Sequence, residues 1–182
     1  MTMALANRKG AHEQPVAPEG AHELLCRQAE TRHDIPLRPL LIALGHSLEA
    51  TFAETAQRVR LHVSADAVTF SSDDTIALAL LANEAISNAY QHAFPGKRSG
   101  MIAVSFSRTV DGLVLEIRDN GVGMSRAHRP GSLGLNLMRR FAKRLSAAIS
   151  FAPLAGDTGT FVRLWLPRTI TFPPADGSRF AA

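Results

Sequence analysis

The chain of 182 residues contains a single cysteine, Cys26, which excludes an internal disulfide framework and any zinc site built from clustered thiolates. No stretch approaches the roughly 18 consecutive apolar residues that a membrane-crossing helix requires, and the N-terminus lacks the apolar core of a secretion signal. The expectation is a soluble, cytoplasmic protein without direct membrane insertion, whose attachment to a membrane would come through a partner. Runs of like charge are missing as well. The 20 lysines and arginines are scattered among 16 aspartates and glutamates, for a formal charge of +4. Such a surplus suits an anionic partner only weakly, and without a basic run it makes no case for nucleic acid. Neither G-x-G-x-x-G nor GxxxxGK[ST] occurs, so phosphate binding of the Rossmann or P-loop type is unsupported. Repeats and low-complexity arrays are absent too.

What is present is globular. Hydrophobic residues make up 46% and charged residues 20% of the chain, close to average, and the length suits one domain plus short extensions. Residues 1–20, with Gly10, Pro15, Pro18 and Gly20, read as a disordered leader, and residues 168–182, with Pro173, Pro174 and Gly177, as a flexible tail. Between them, residues 22–28 suit a short helix. Leu37, Leu40, Leu41, Leu44, Leu48 and Phe52 recur at helical spacing over residues 37–56, behind a Pro36 well placed for a helix start. Val59, Leu61 and Val63 alternate with polar residues over 58–64 and predict a half-buried strand. Ser71, Ser72, Asp73 and Asp74 supply capping chemistry for a long helix over 75–94, stopped by Pro95 and Gly96. Strands are expected over 101–107 and 113–119 around a turn at Asp111-Gly112, then a helix over 135–146 and strands over 148–152 and 160–167. This order predicts an α+β protein, a two-layer sandwich with one mixed sheet covered by helices on one face. The leucine stripe of residues 37–52 would bury against either the domain or a second copy in a homodimer.

Four features carry chemistry. In the apolar helix over 75–94, Glu84, Asn88 and His92 recur every four residues and line up as one stripe. A carboxylate, a carboxamide and an imidazole in a row could activate a nucleophile, ligate a hard cation through oxygen and contact an anion, although the solvated face of an amphipathic helix looks the same. Asp119-Asn120-Gly121-Val122-Gly123 directly follows an alternating strand. Asn-Gly there would ordinarily mark a hairpin, but no returning strand follows Gly123, so the glycines let the backbone lie close to something else. Asp119 could accept a hydrogen bond from an exocyclic amine. Gly131-Ser132-Leu133-Gly134-Leu135 brackets the start of a helix, where free amides and the helix dipole favour phosphate, and where glycine is also often a simple turn. Gly159-Thr160 opens the last strand.

In this order and spacing, the four pieces resemble the ATP-binding domain of sensor histidine kinases, the Bergerat-type ATPase fold. Residues 83–94 (NEAISNAYQHAF) look like the family's N box, Asp119 to Gly123 like its first glycine box and Gly131 to Leu135 like its second. The resemblance implies that Asn88 ligates the Mg2+ that bridges the ATP phosphates and that Glu84 is the acid/base carboxylate. By the same resemblance Asp119 reads the adenine amine, with Thr160 holding a water in its network. Gly121 and Gly123 let the backbone approach the nucleotide. The amides around Gly131, Ser132, Leu133 and Gly134 meet the phosphates, and His92 faces them. Gln91 stands where a lysine is common in the family. Seven residues, 124–130, separate the glycine boxes, which resembles a short-lid subgroup with soluble, light- or stress-sensing input; Arg126, His128 and Arg129 in that lid could approach the γ-phosphate or be solvated loop charges.

The resemblance thus divides the chain into residues 58–167 as an ATPase domain and residues 21–57 as a helical segment similar to part of a dimerisation hairpin and linker. The subgroup's phosphoacceptor motif, His-Arg followed closely by Lys-Asn, is absent. His22, His33 and His46 read as surface histidines, so the acceptor could lie in another protein. The implied function is transfer of the γ-phosphoryl group of Mg-ATP to a histidine in two-component signalling, with a response regulator or a histidine-containing protein as partner. The alternatives are an anti-sigma-factor-type serine kinase and a non-catalytic ATP-binding adaptor.

Overall fold

A computed structural model describes residues 34–123, 133–153 and 158–167 of the chain. The expected leader, the short helix over 22–28, the tail and the lid between the glycine boxes lie outside the described residues. A short strand, β1 (Asp34–Pro36), runs into helix α1 (Leu37–Thr51) and a one-turn helix, α2 (Ala53–Ala56). Strand β2 (Val59–Ala65), strand β3 (Thr69–Ser71) and helix α3 (Ser72–Asn88) follow. A π-helical turn, Ala89–Ala93, extends α3. Then come β4 (Gly100–Arg108), β5 (Gly112–Asp119), α4 (Leu133–Arg144), β6 (Ala148–Pro153) and β7 (Thr160–Pro167).

The main sheet has the order β2-β4-β5-β7-β6, with β2 parallel to β4 and every other pair antiparallel. The α+β sandwich expected from the sequence is therefore what forms. The two-residue side-chain period puts alternate residues on one face, and the register joins them into rows: Val63, Val104, Ile117, Val162 and Phe151 lie across all five strands. The neighbouring row, Ala65, Phe106, Leu115, Leu164 and Ile149, does the same. These rows join the helices in one core, in which Phe106, Leu115 and Leu164 are almost wholly buried. Each such side chain contributes about 1.5–3 kcal/mol relative to exposure. The opposite face is mixed, with Glu116 between Arg118 and Arg163, the Arg118 guanidinium over the Phe161 ring, and Val114 paired with Trp165.

Helix α1 uses its leucine stripe inside the chain. Leu37, Leu40, Leu41, Leu44 and Leu48 are buried, and Gly45 brings the helix against Leu61 and Val63 of β2. The apolar face that could have made a dimer seam is thus already covered. The helix expected over 37–56 breaks at Phe52, whose ring stacks on Tyr90 with centroids 5.2 Å apart. Just before the break, the Thr51 hydroxyl donates back to the Ser47 carbonyl at 2.9 Å, a bond that bends helices. Helix α3 starts earlier than the periodicity alone implies, because Ser71 is its N-cap and accepts from the Asp74 amide at 3.2 Å. Strands β1 and β3 pair with each other in a second, two-stranded sheet that the sequence did not reveal.

Candidate functional site

Parity decides where Asp119 points. Leu113, Leu115, Ile117 and Asp119 share the helix-covered face of β5, so the carboxylate ends a row of core residues and is only 6% exposed. A buried carboxylate needs hydrogen bonds. Asp119 Oδ1 accepts from the Gly121 amide at 2.9 Å and the Thr160 amide at 3.2 Å, which binds the loop after β5 to the start of β7. Gly123, at φ +78°, takes a turn that other residues resist, and it passes close to Gly159. At Gly121 a side chain would collide with the Ala93 carbonyl, the same carbonyl that accepts from the Val122 amide at 2.8 Å. The smallness of Gly121 therefore serves a contact with the π turn.

A cavity of about 660 Å³ opens beside this carboxylate, within the usual range of small-molecule sites. Ile117, Leu135, Met138 and Val162 supply apolar walls, and Asp119 and Thr160 stand at one end. On the helical side Ala85, Ala89 and Ala93 recur every four residues, and their small side chains leave the space. Asn88, Gln91, His92 and Pro95 line the same side, with Gln91 and His92 exposed at the rim.

At the end away from Asp119, the Asn88 carboxamide donates through Nδ2 to Glu84 Oε1 at 3.1 Å. Glu84 is not among the cavity-lining residues and meets the site through Asn88. The first turn of α4 closes over this pair, for a Cβ on Gly134 would collide with Glu84 Oε1 and stand 3.2 Å from Asn88 Nδ2. A carboxylate at a helix N-terminus suits the helix dipole. Leu133 starts α4 with 67% exposure, and Gly134 lines the cavity. Gly131, Ser132, Arg126, His128 and Arg129 lie outside the described residues. Among the described residues no group of three His, Cys, Asp or Glu could hold a metal by itself. A cation here would rest on the oxygen of Asn88 together with oxygens of its ligand, which suits a hard ion such as Mg2+.

Sequence reading missed two residues around this site. Arg98 Nη2 donates to the Asn120 carbonyl at 3.1 Å, the Gly121 carbonyl at 3.3 Å and the Thr158 hydroxyl at 3.1 Å. Asn120 Oδ1 accepts from the Met101 amide at 2.7 Å. Arg98 belongs to no hydrophobic period or spaced motif, and Asn120, although it lies within the Asp119–Gly123 motif, shows nothing in sequence of its bond to Met101. Within the π turn, Tyr90 is buried with its hydroxyl lacking a hydrogen-bond partner. Burial, and to a lesser degree the Glu49 carboxylate, push its phenol up to about 12.

A one-sided sandwich with its cavity between the sheet and an N-box-like helix is the architecture of a histidine kinase catalytic domain. The solved histidine kinase domain of the blue-light-activated kinase EL346 from Erythrobacter litoralis matches with a TM-score of 0.72 and 25% identity, over 81% of this chain and 76% of that one. The family described as histidine kinase-like ATPase domain matches residues 47–165, and the chain belongs to that family. Among curated relatives, the nitrate/nitrite sensor protein NarQ of Escherichia coli (strain K12) is 31% identical over 74% of this chain. Blue-light-activated histidine kinase 2 of Erythrobacter litoralis (strain HTCC2594) is 28% identical over 60%. The chain spans only 22% and 32% of those two relatives' lengths. No helix among the described residues is long and apolar enough to cross a membrane.

Proposed function

We propose that this chain binds Mg-ATP in the cavity and acts as the cytoplasmic catalytic domain of a histidine protein kinase in two-component signalling. The observation that carries the reading is the buried Asp119 carboxylate, fixed by two backbone amides at the wall of the cavity beside the apolar side chains of Ile117, Met138 and Val162. Fixed in this way, it is suited to accept from the 6-amino group of adenine, while Ile117, Met138 and Val162 cover the ring. Thr160 stands beside it to hold a bridging water.

The phosphates then extend toward Asn88. With its Nδ2 engaged by Glu84, the carboxamide has its oxygen left for Mg2+. Magnesium, when bound, neutralises charge on the phosphates. The amides of Leu133 and Gly134 at the start of α4, together with those of Gly131 and Ser132 that precede them in the sequence, would donate to phosphate oxygens as a helix N-terminus does, and His92 approaches from the rim. A neutral imidazole nitrogen of the acceptor attacks the γ-phosphorus as its bond to the bridging oxygen breaks and ADP leaves. Glu84 takes the proton that the phosphorylated imidazole gives up. The partner is a histidine-containing protein or a second copy of this chain, and a response regulator then receives the phosphoryl group.

Incubation with γ-labelled ATP and Mg2+, alone and with candidate histidine-containing proteins, tests the reading. The expected label is acid-labile and alkali-stable. A label that survives acid indicates a serine kinase instead, and nucleotide binding with no label on any partner indicates an adaptor.

A further inference from the structure

Arg98 lies between the π turn and β4, outside the cavity lining, yet its guanidinium joins the two loops that hold Asp119. Its Nη2 donates to the carbonyls of Asn120 and Gly121, in the loop after β5, and to Thr158 Oγ1, just before β7. The amides that grip Asp119 Oδ1 come from the same two segments, Gly121 and Thr160. The loops are therefore fastened twice, on the inside through the Asp119 carboxylate and on the outside through Arg98. The outer fastening is itself anchored, since the Arg98 carbonyl accepts from Arg58 Nε at 3.2 Å and Arg58 Nη1 donates to the Glu54 carbonyl at 3.1 Å. Remove the outer fastening, and among the described residues Asp119 is the one side chain still bonded to both segments, so its carboxylate is freer to turn with them.

We propose that Arg98 is the positioning residue that orients Asp119, making selectivity for a 6-aminopurine depend on a side chain outside the cavity lining. This rests on the ATP reading of the cavity. A planar guanidinium serves several acceptors in a fixed geometry that an ammonium does not reproduce, so lysine at this position should substitute only in part.

The experiment compares binding of ATP and of purine riboside triphosphate, which lacks the 6-amino group, by calorimetry on the full chain and on Arg98→Ala, Arg98→Lys and Thr158→Val. The wild-type chain should prefer ATP by about 10-fold or more, because an unmatched buried hydrogen-bonding group penalises the analogue. Arg98→Ala should shrink that ratio by about 5-fold and Arg98→Lys should restore part of it, while affinity for inorganic triphosphate stays unchanged. Should Arg98→Ala fail to fold, Thr158→Val removes a single tie and should still lower the ratio by about 2-fold. An unchanged ratio in the folded variants, or equal weakening of both nucleotides and triphosphate, overturns the assignment. A wild-type chain that binds no ATP overturns the ATP reading itself, a separate result.

Discussion

The two ends of the cavity are built differently. At the Asp119 end the carboxylate is held mostly by main chain, with two amides on one oxygen and a glycine at positive φ nearby, and the Arg98 side chain ties the same loops across the outside. At the other end the contact is one side-chain bond, Asn88 to Glu84, with the first turn of α4 leaning on it. The difference follows from the tasks proposed for each. A base keeps one shape throughout the reaction, so a rigid carboxylate can select it. Phosphates change charge and geometry during transfer, and a carboxamide and a helix start can follow them at little cost. Substitutions at the first end should therefore act on affinity, and those at the second on metal dependence and rate.

The severest test of this contrast is Asp119→Asn, which keeps an oxygen for the two amides and removes the charge. ATP affinity by calorimetry should fall by about 100-fold, the scale of a charge-assisted bond lost in a buried site, with the fold intact. Undiminished affinity would remove Asp119 from the base end. Next in size is Asn88→Ala. Nucleotide binding with Mg2+ should weaken by about 10-fold and binding in EDTA should hardly change; retention of tight Mg-ATP binding would put the metal elsewhere.

Gly134→Ala sharpens the contrast further. Its new methyl displaces the Glu84 carboxylate, the end of a flexible side chain, so the thermal midpoint should move by no more than about 3 °C, in part because alanine favours helix. Phosphotransfer followed with labelled ATP should slow by about 10-fold while ATP affinity holds, since a side chain moved from its reacting position costs rate. A loss of affinity without a loss of rate would reverse the roles given to the two ends.

The smallest effect belongs to Tyr90, behind both. Its folded pKa of about 12 lies above the ordinary 10.0. Burial of the neutral phenol therefore contributes stability that is complete below pH 10 and is lost as pH rises toward 12. Thermal midpoints at pH 9 and pH 11 should drop further for the wild-type chain than for Tyr90→Phe, which removes the hydroxyl. Equal drops would show that Tyr90 is not the titrating group.

Where the sequence spoke clearly, a period was long enough to count. The leucines of α1, the alternation of β5 and the parity that turns Asp119 inward are all properties of runs longer than six residues. Strands β1 and β3 have three residues each and offer no alternation to read. At the break, Phe52 stacks on a ring 38 positions away in the chain, Tyr90, which no local pattern encodes, and the only local contribution is the Thr51 hydroxyl bond to Ser47. Arg98 escaped for a related reason: an arginine in a loop resembles any solvated charge until its three acceptors converge in space. The nearness of Glu84 and Asn88 was legible because spacing by four on a helix is itself geometry.

The π turn at Ala89–Ala93 has a further consequence, for insertions and deletions. Its bonds reach one residue further than α-helical ones, so it amounts to one surplus residue wound into a helix. Deleting a single residue there would let α3 continue as a regular helix, and because the turn already absorbs one surplus residue the segment beyond would keep its rotation. A deletion within Ser72–Asn88 has no surplus to draw on and would rotate everything beyond by about 100°, so that Ala93 would no longer present its carbonyl to the Val122 amide and the loop after Asp119 would lose the surface it rests on. The length of α3 before Asn88 is accordingly as constrained as its sequence, whereas a relative aligned with a one-residue gap between Asn88 and Phe94 should keep the shape of the rim.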